Sequence, residues 1–450
     1  MASQHSFQAP TGTRDFYPND LSRARYLQHA WRSVSVRHGF DEIDGPTFEH
    51  LELYTAKSGE GIVSELFSFE RFGGEKTYAL RPEFTPTLAR MYAARASALP
   101  RPTKWFWQQT CFRAERPQRG RLREFYQWNC DIIGDESPRA DAEIIAVAVD
   151  ALRELGLTSD MLKVRISHRG AVENLLRNRG VTPDKMPGWF FLLDRAGKIS
   201  NDDFIAEAGK LGMAPNIAVD LLRLMAMSTS FEAPTTQVML SEDAGGRGPE
   251  YFRALFAELK AAGVADWCVL NLGIVRGLAY YTGMVFEIHD AAGKERAVAG
   301  GGRYDGLIEQ FGGPATPAVG FGMGDAVLGL VLQEKNLLPA DEAIATKLGL
   351  RPDVFVISNG TESADAAVGG VVTELRRRGL HVRRSYKATK NVGKLLQEAA
   401  KAGPGGRGAR YVVIVESGEN GGTATVKDLD SGLQHPEPIT LGNVAGYLKG

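Results

Sequence analysis

The sequence is poor in cysteine. Its 450 residues contain three, Cys111, Cys130 and Cys268. They show neither a Cys-x-x-Cys pair nor a histidine partner at metal-ligand spacing, which excludes a disulfide framework and a cysteine-ligated zinc site and points to a reducing, cytoplasmic setting. Apolar runs of membrane-spanning length are absent, and MASQHSFQAPTGTRDF has no apolar core of the kind a secretory leader needs, so no membrane partner is expected. Net charge is also small: 53 Lys and Arg against 54 Asp and Glu give −1, without the overall basic excess of many nucleic-acid binders. The balance is uneven along the chain. Residues 351–450 hold 14 basic and 10 acidic side chains, +4, leaving −5 before them, so any polyanion partner is expected at the C-terminal end. The glycine-rich segment Val298–Leu307 follows neither the Walker pattern nor Gly-x-Gly-x-x-Gly, and no internal repeat is evident.

What is present divides the chain. Hydrophobic content of 43% supports real cores, and the length implies two or three domains. Leu21–Arg37 reads as a helix closed by Gly39, followed by an extended segment, Phe40–Phe48, broken by Pro46. Asp141–Leu155 is an amphipathic helix ended by Gly156. Residues 160–265 read as a mainly helical insertion into a domain spanning 1–335. A linker at 336–350 leads to 351–450, where strands and helices alternate as in a small α/β domain.

The segment Cys111–Gly134 is the chemical centre. Lys104–Glu115 and Leu122–Ile133 read as two strands around a basic turn, Arg116-Pro117-Gln118-Arg119-Gly120. Because strand side chains alternate, Tyr126, Trp128, Cys130 and Ile132 share a core-like face, whereas Arg123, Gln127, Asn129 and Asp131 share the other with Phe125. A polar row of this kind is either a solvated sheet face or the floor of a ligand site. Three further segments have site-like composition. Arg81, Glu83 and Thr85 precede a helix with Pro86 in its first turn, where a carboxylate serves either the helix dipole or a bound ammonium. Arg276-Gly277 precedes Tyr280-Tyr281-Thr282-Gly283 and a strand, Met284–Ile288, a pattern that suits a tight turn as well as a ligand approach. Val298–Leu307 is rich in glycine and ends near Arg303; Pro317–Leu328 reads as a strand followed by a helix.

Taken together, these segments resemble the histidyl-tRNA synthetases, a family of class II aminoacyl-tRNA synthetases, over nearly the whole chain. Gly12-Thr13-Arg14-Asp15 resembles the family's N-terminal signature, the first helix through Pro46 its motif 1, FRAERPQRGRLREFYQ its motif 2 and RGLAYYTGMVFE its histidine signature. GGGRYDGL and PAVGFGMG occupy the region leading into motif 3. The resemblance implies an α+β fold: a class II antiparallel sheet with flanking helices, plus a C-terminal α/β anticodon-binding-like domain. It implies ligation of L-histidine to tRNA(His) through a histidyl-adenylate, with ATP as substrate, Mg²⁺ accompanying it, no metal held by a cluster of protein side chains alone, and a homodimer assembled through motif 1.

Residue by residue, the resemblance assigns Arg113 and Arg276 to catalysis at the α-phosphate, and Glu115 with them to ATP. It assigns Glu83, Phe84, Thr85, Gln127, Asp131, Tyr280 and Tyr281, together with both arginines, to the histidine substrate. Two positions depart from the family pattern. Ala279 stands where an aspartate is common. Ala326 and Val327 stand where motif 3 commonly ends in Glu-Arg, so the γ-phosphate contact of that arginine would have to come from another basic residue or from Mg²⁺. Two other readings are a non-catalytic, histidine-binding regulatory subunit of the ATP phosphoribosyltransferase type, and a relative that binds tRNA without charging it. The first typically lacks both the two arginines and the C-terminal domain present here.

Overall fold

The computed structural model describes residues 7–58, 60–197, 199–233, 248–275, 281–293, 295–387, 389–417 and 421–449. The chain forms two compact units, one comprising residues 1–15 and 27–337, the other 16–26 and 338–450.

The first unit is built on a sheet of eight strands among the described residues. In chain order these are β1 (Asp41–Glu42), β5 (Thr103–Phe112), β6 (Glu124–Ile133), β7 (Leu162–His168), β8 (Cys268–Leu270), β9 (Met284–Asp290), β10 (Ala299–Arg303) and β11 (Ala318–Gly324). A smaller sheet joins β2 (Phe48–His50), β4 (Thr77–Leu80) and β3 (Ser68–Glu70). The large sheet runs β1-β5-β6-β11-β10-β9-β7-β8, antiparallel except for the parallel pairs β1 with β5 and β7 with β8 at its two edges. The fold is therefore α+β with an antiparallel core sheet, as expected.

The two faces of the sheet are used differently. On one, Trp128 stacks on Trp31 of the helix Pro18–Arg37 with ring centroids 5.8 Å apart, and meets the edge of Phe321 at 4.9 Å. Its indole N–H donates to Ser35 Oγ at 2.9 Å, satisfying a polar group that burial would otherwise leave costly. The helix Pro138–Glu154 covers the same region, burying Ile144, Val147 and Ala148. On the other face, the helix Thr85–Ala93 covers the β5 end, where Phe84 stacks flat on Trp107 at 4.3 Å. The remainder of that face carries the glycines of β10 and β11.

Several local expectations change. Leu162–His168, inside the stretch expected to be mainly helical, is a strand: its apolar residues alternate with a period of two, and Leu162, Val164 and Ile166 are buried. Of the extended segment 40–48, only Asp41–Glu42 pairs with the large sheet. The centre of the glycine-rich Val298–Leu307 is strand β10, paired on both sides. A glycine strand gives up conformational entropy and side-chain packing, and it marks a place where something must approach the backbone closely.

The second unit has a five-stranded sheet in the order β13 (Val382–Arg384), β12 (Val354–Ser358), β14 (Tyr411–Ser417), β15 (Thr423–Asp428), β16 (Ile439–Thr440). Alternation along the strands sorts Val354, Val356, Val413 and Val415 into one core with Val371 and Leu375 of the helix Glu362–Arg377. Phe355, Ile357 and Val412 form a second core with Leu395 and Ala399 of the helix Val392–Ala399. Within the segment 336–350, Asp341–Lys347 is helical, with Asp341 and Glu342 in the first turn and Lys347 in the last, a charge order that suits the helix dipole.

Candidate active site

Strands β6, β11 and β10 set the floor of the site by register. Asp131 lies opposite Gly320, Asn129 opposite Gly322 and Gln127 opposite Gly324; Gly322 and Gly320 in turn face Gly300 and Gly302. Residues directly opposite one another share a face, so the polar row of β6 borders a lane stripped of side chains. The lane is needed sterically. A Cβ on Gly320 would come within 2.6 Å of Asp131 Cγ and closer still to Oδ1, and one on Gly322 would come 2.8 Å from Gln127 Nε2.

Above this floor are two connected chambers. The outer one is an open cleft of about 650 Å³, lined among others by Glu115, Arg121, Val298, Arg296, Ala326 and Val327. The inner one, about 170 Å³, is lined by Thr85, Asn129, Asp131 and Tyr304 together with residues it shares with the cleft. The shared wall includes Glu83, Arg113, Gln127 and Tyr281. Buried Gln127, Asn129 and Asp131 thus belong to a ligand-sized hollow rather than to a solvated sheet face.

Each lining side chain is held by the local structure. Arg113 Nε donates to Pro82 O at 3.2 Å and its guanidinium lies over the Phe125 ring at 5.1 Å. Glu115 is fixed by Arg121, with Nε 3.0 Å from its Oε2. Gln127 Nε2 donates to Asn129 Oδ1 at 2.8 Å. Tyr304 Oη donates to Asp131 Oδ1 at 2.5 Å; burial and the neighbouring carboxylate push this phenol well above its ordinary pKa, so it stays a donor. Tyr304 was missed in the sequence, where the only signal was a tyrosine next to Arg303 inside the glycine-rich segment. Thr85 is the first residue of its helix and lines the inner chamber. Phe84 departs from the assignment made for it: its side chain is fully buried against Trp107 and lines neither chamber. Arg276 and Tyr280 lie outside the described residues.

Two supports lie just outside the chambers. Arg81 is buried and donates to Thr110 O, Gly45 O and Pro46 O at 2.8, 3.0 and 3.3 Å, tying β5 to the segment before Glu83. In the N-terminal Gly-Thr-Arg-Asp run, Gly12, at φ +88°, accepts from Arg123 N at 2.8 Å through its carbonyl, and Arg14 meets buried Asp325 at 2.8 Å. Asp325 also accepts from Tyr126 N at 2.9 Å, so this run braces both β6 and the helix Asp325–Glu334.

At the far end of β10, Arg303 meets Asp141 at 2.7 Å inside the protein, and Tyr251 donates to the other oxygen of that carboxylate at 2.5 Å. His168, beside Tyr251, caps the helix Arg169–Arg177 by accepting from Gly170 N at 3.1 Å. Burial, with Arg303 adding repulsion, holds His168 down to about 4, against 6.5 for an ordinary histidine. Between those values the unfolded chain binds more protons than the folded one, so stability is lost as pH falls from above 6.5 through 4. We expect His168→Asn, which keeps a cap acceptor, to flatten this dependence. Denaturant titrations at pH 7.5 and 5.0 should show the parent losing roughly 2 kcal/mol more than the variant; equal losses would mean that His168 titrates normally.

An antiparallel sheet with a ligand site spread across its face and helices behind it is the architecture of the class II aminoacyl-tRNA synthetases, the class whose motifs the sequence resembles. A family model described as histidyl-tRNA synthetase matches residues 12–325. The histidine–tRNA ligase of Haloarcula marismortui is 38% identical over 436 residues, covering 96% of each chain. The chloroplastic/mitochondrial histidine–tRNA ligase of Arabidopsis thaliana is 36% identical over 428 residues, covering 94% of this chain and 84% of that one. Among solved structures, histidyl-tRNA synthetase from Nostoc sp. PCC 7120 superposes with a TM-score of 0.77 at 23% identity, covering 99% of both chains, a likeness of fold. The chain belongs to the histidyl-tRNA synthetase family.

Proposed function

We propose that the chain activates L-histidine with ATP to histidyl-adenylate and pyrophosphate, then passes the histidyl group to the 3′ end of tRNA(His). One observation carries the reading: a small polar chamber and a larger cleft meet at a shared wall that includes Arg113. Histidine in the inner chamber and ATP in the cleft would bring the substrate carboxylate and the α-phosphorus together at that wall. The carboxylate attacks, pyrophosphate leaves, and Arg113 faces the charge that grows on the α-phosphate oxygens. Arg276 is proposed for the same phosphate from the other side. Glu83 and Thr85, with Gln127 nearby, hold the α-ammonium. Asp131, kept in place by Tyr304, and Tyr280 and Tyr281 surround the imidazole. Glu115 meets the adenine.

Among the described residues no cluster of three or more His, Cys, Asp or Glu side chains is placed to hold a metal. From the family resemblance, Mg²⁺ is proposed to enter on the ATP phosphates, where it would neutralise their charge. In the second unit, Arg376, Arg383, Arg384, Lys387, Lys394 and Lys401 line one hollow beside exposed Tyr386, a basic face with an aromatic that suits tRNA. A homodimer is proposed from the motif 1 resemblance. A reducing, cytoplasmic setting is proposed from three buried cysteine thiols. No helix among the described residues is long and apolar enough to cross a membrane.

The regulatory-subunit reading is not favoured. Arg113 is present at the junction, and the relatives that extend over 94–96% of this chain are named histidine–tRNA ligases. Purified protein with ATP and Mg²⁺ should catalyse histidine-dependent exchange of pyrophosphate into ATP and then charge tRNA(His). Phenylalanine should not substitute, because it would leave the buried polar groups of the inner chamber unpaired. Exchange with phenylalanine at the histidine rate, or no exchange with either, would refute the reading.

A further inference from the structure

The helix Asp325–Glu334, sequence DAVLGLVLQE, contains no arginine, and its start contributes only Ala326 and Val327 to the outer cleft. The segment entering β10 lines the same cleft and carries Arg296. The stem of Arg296 and the side chain of Val327 flank a single point: a methyl group built on Gly120 would lie 4.0 Å from Arg296 Cδ and 3.1 Å from Val327 Cγ2. Arg296 is thus delivered, from a different part of the chain, to the spot where the start of that helix supplies no cation.

Its position is fixed by its neighbour. Glu295, 4% exposed, holds Arg119 of the basic turn at 2.7 Å, and Arg119 also meets Glu334 near the end of the helix at 2.5 Å. The basic turn, the segment before β10 and the helix are clamped together around Arg296. The other arginines of the cleft have different positions. Arg113 sits at the inner junction, and Arg121 lies against Glu115, the side chain proposed for the adenine. Arg296 lines the cleft but not the inner chamber proposed for histidine.

We propose that Arg296 binds the β- and γ-phosphates of ATP. The proposal rests on the ATP-dependent activation argued above. A guanidinium suits the task because it stays charged and can bind two phosphate oxygens at once.

The test uses the full chain and titrates binding of a non-hydrolysable ATP analogue and of AMP by calorimetry. Arg296→Met keeps the apolar stem against Gly120 and Val327 and removes only the charge. It should bind the ATP analogue at least tenfold more weakly, raise the KM for pyrophosphate in the reverse reaction, and bind AMP within twofold of the parent. Arg296→Lys should recover part of the loss. Unchanged affinity for the analogue, or equal losses for analogue and AMP, would overturn the assignment while leaving adenylation by the parent intact. A parent protein that binds neither nucleotide would overturn both the assignment and the activity on which it rests.

Discussion

Replacing Arg113 with alanine is expected to slow histidine-dependent pyrophosphate exchange by on the order of 10²–10³, the cost of removing one preorganised donor from developing charge. Histidine affinity should change only a few-fold. The separation follows from place. Arg113 stands at the wall shared by the two chambers, whereas the proposed imidazole partner Asp131 lines the inner one alone. The Nε bond to Pro82 O and the Phe125 ring beneath the guanidinium set its orientation before any ligand arrives. Lysine retains charge but cannot reproduce the planar fork, so Arg113→Lys should remain severely impaired. Pre-steady-state measurement of adenylate formation, alongside equilibrium histidine binding, would decide the matter. Loss of histidine binding in proportion to rate would make Arg113 a substrate-holding residue instead. The same split is expected for Arg276 from the resemblance, and Asp131→Ala should show the converse, weaker histidine binding or relaxed selectivity.

The second large effect is expected where there is no side chain at all. Gly320→Ala would put a methyl group within 2.6 Å of Asp131 Cγ and 2.8 Å of Cys130 O. Neither can yield easily: Cys130 O is backbone in the middle of the sheet, and Asp131 is held by Tyr304. Overpacking of this kind costs about 1–3 kcal/mol of stability. More specifically, the Asp131 carboxylate must swing out of its place, so histidine should bind at least tenfold more weakly. Gly329→Ala is the matched control, because a methyl group there meets nothing within 4 Å. Thermal melts and calorimetric histidine titrations on both variants would test this. A Gly320→Ala protein with parental histidine affinity would show that Asp131 does not set the shape of the chamber. Gly322→Ala should be milder, since its nearest neighbour is the movable end of Gln127.

Much of the site could be read from the chain because its signals are local. The alternation of Gln127, Asn129 and Asp131 along β6 depends only on strand geometry. Helix ends at Gly39 and Gly156 depend on the positive φ that glycine tolerates. The order of the motifs from Gly12 to Gly324 carried the family, and with it the antiparallel sheet. By itself, then, the sequence determined the family and the antiparallel fold class that comes with it, because both rest on motifs each legible along the chain.

The tertiary structure alone decided what those segments do to one another. Gly300 and Gly320 are glycines on two separate strands, and nothing local relates one to the other. Sheet register sets them in one lane beside Asp131. Tyr304 reaches Asp131 across 173 residues of sequence, and Arg296 comes to Val327 through their shared neighbour Gly120. Phe84, adjacent to two lining residues, turns away because a flat stack on Trp107 buries it completely. The physical reason is common to all of these. Local pattern reports the preferences of a residue and its neighbours along the chain, while register and packing are settled by the cooperative burial of the whole sheet.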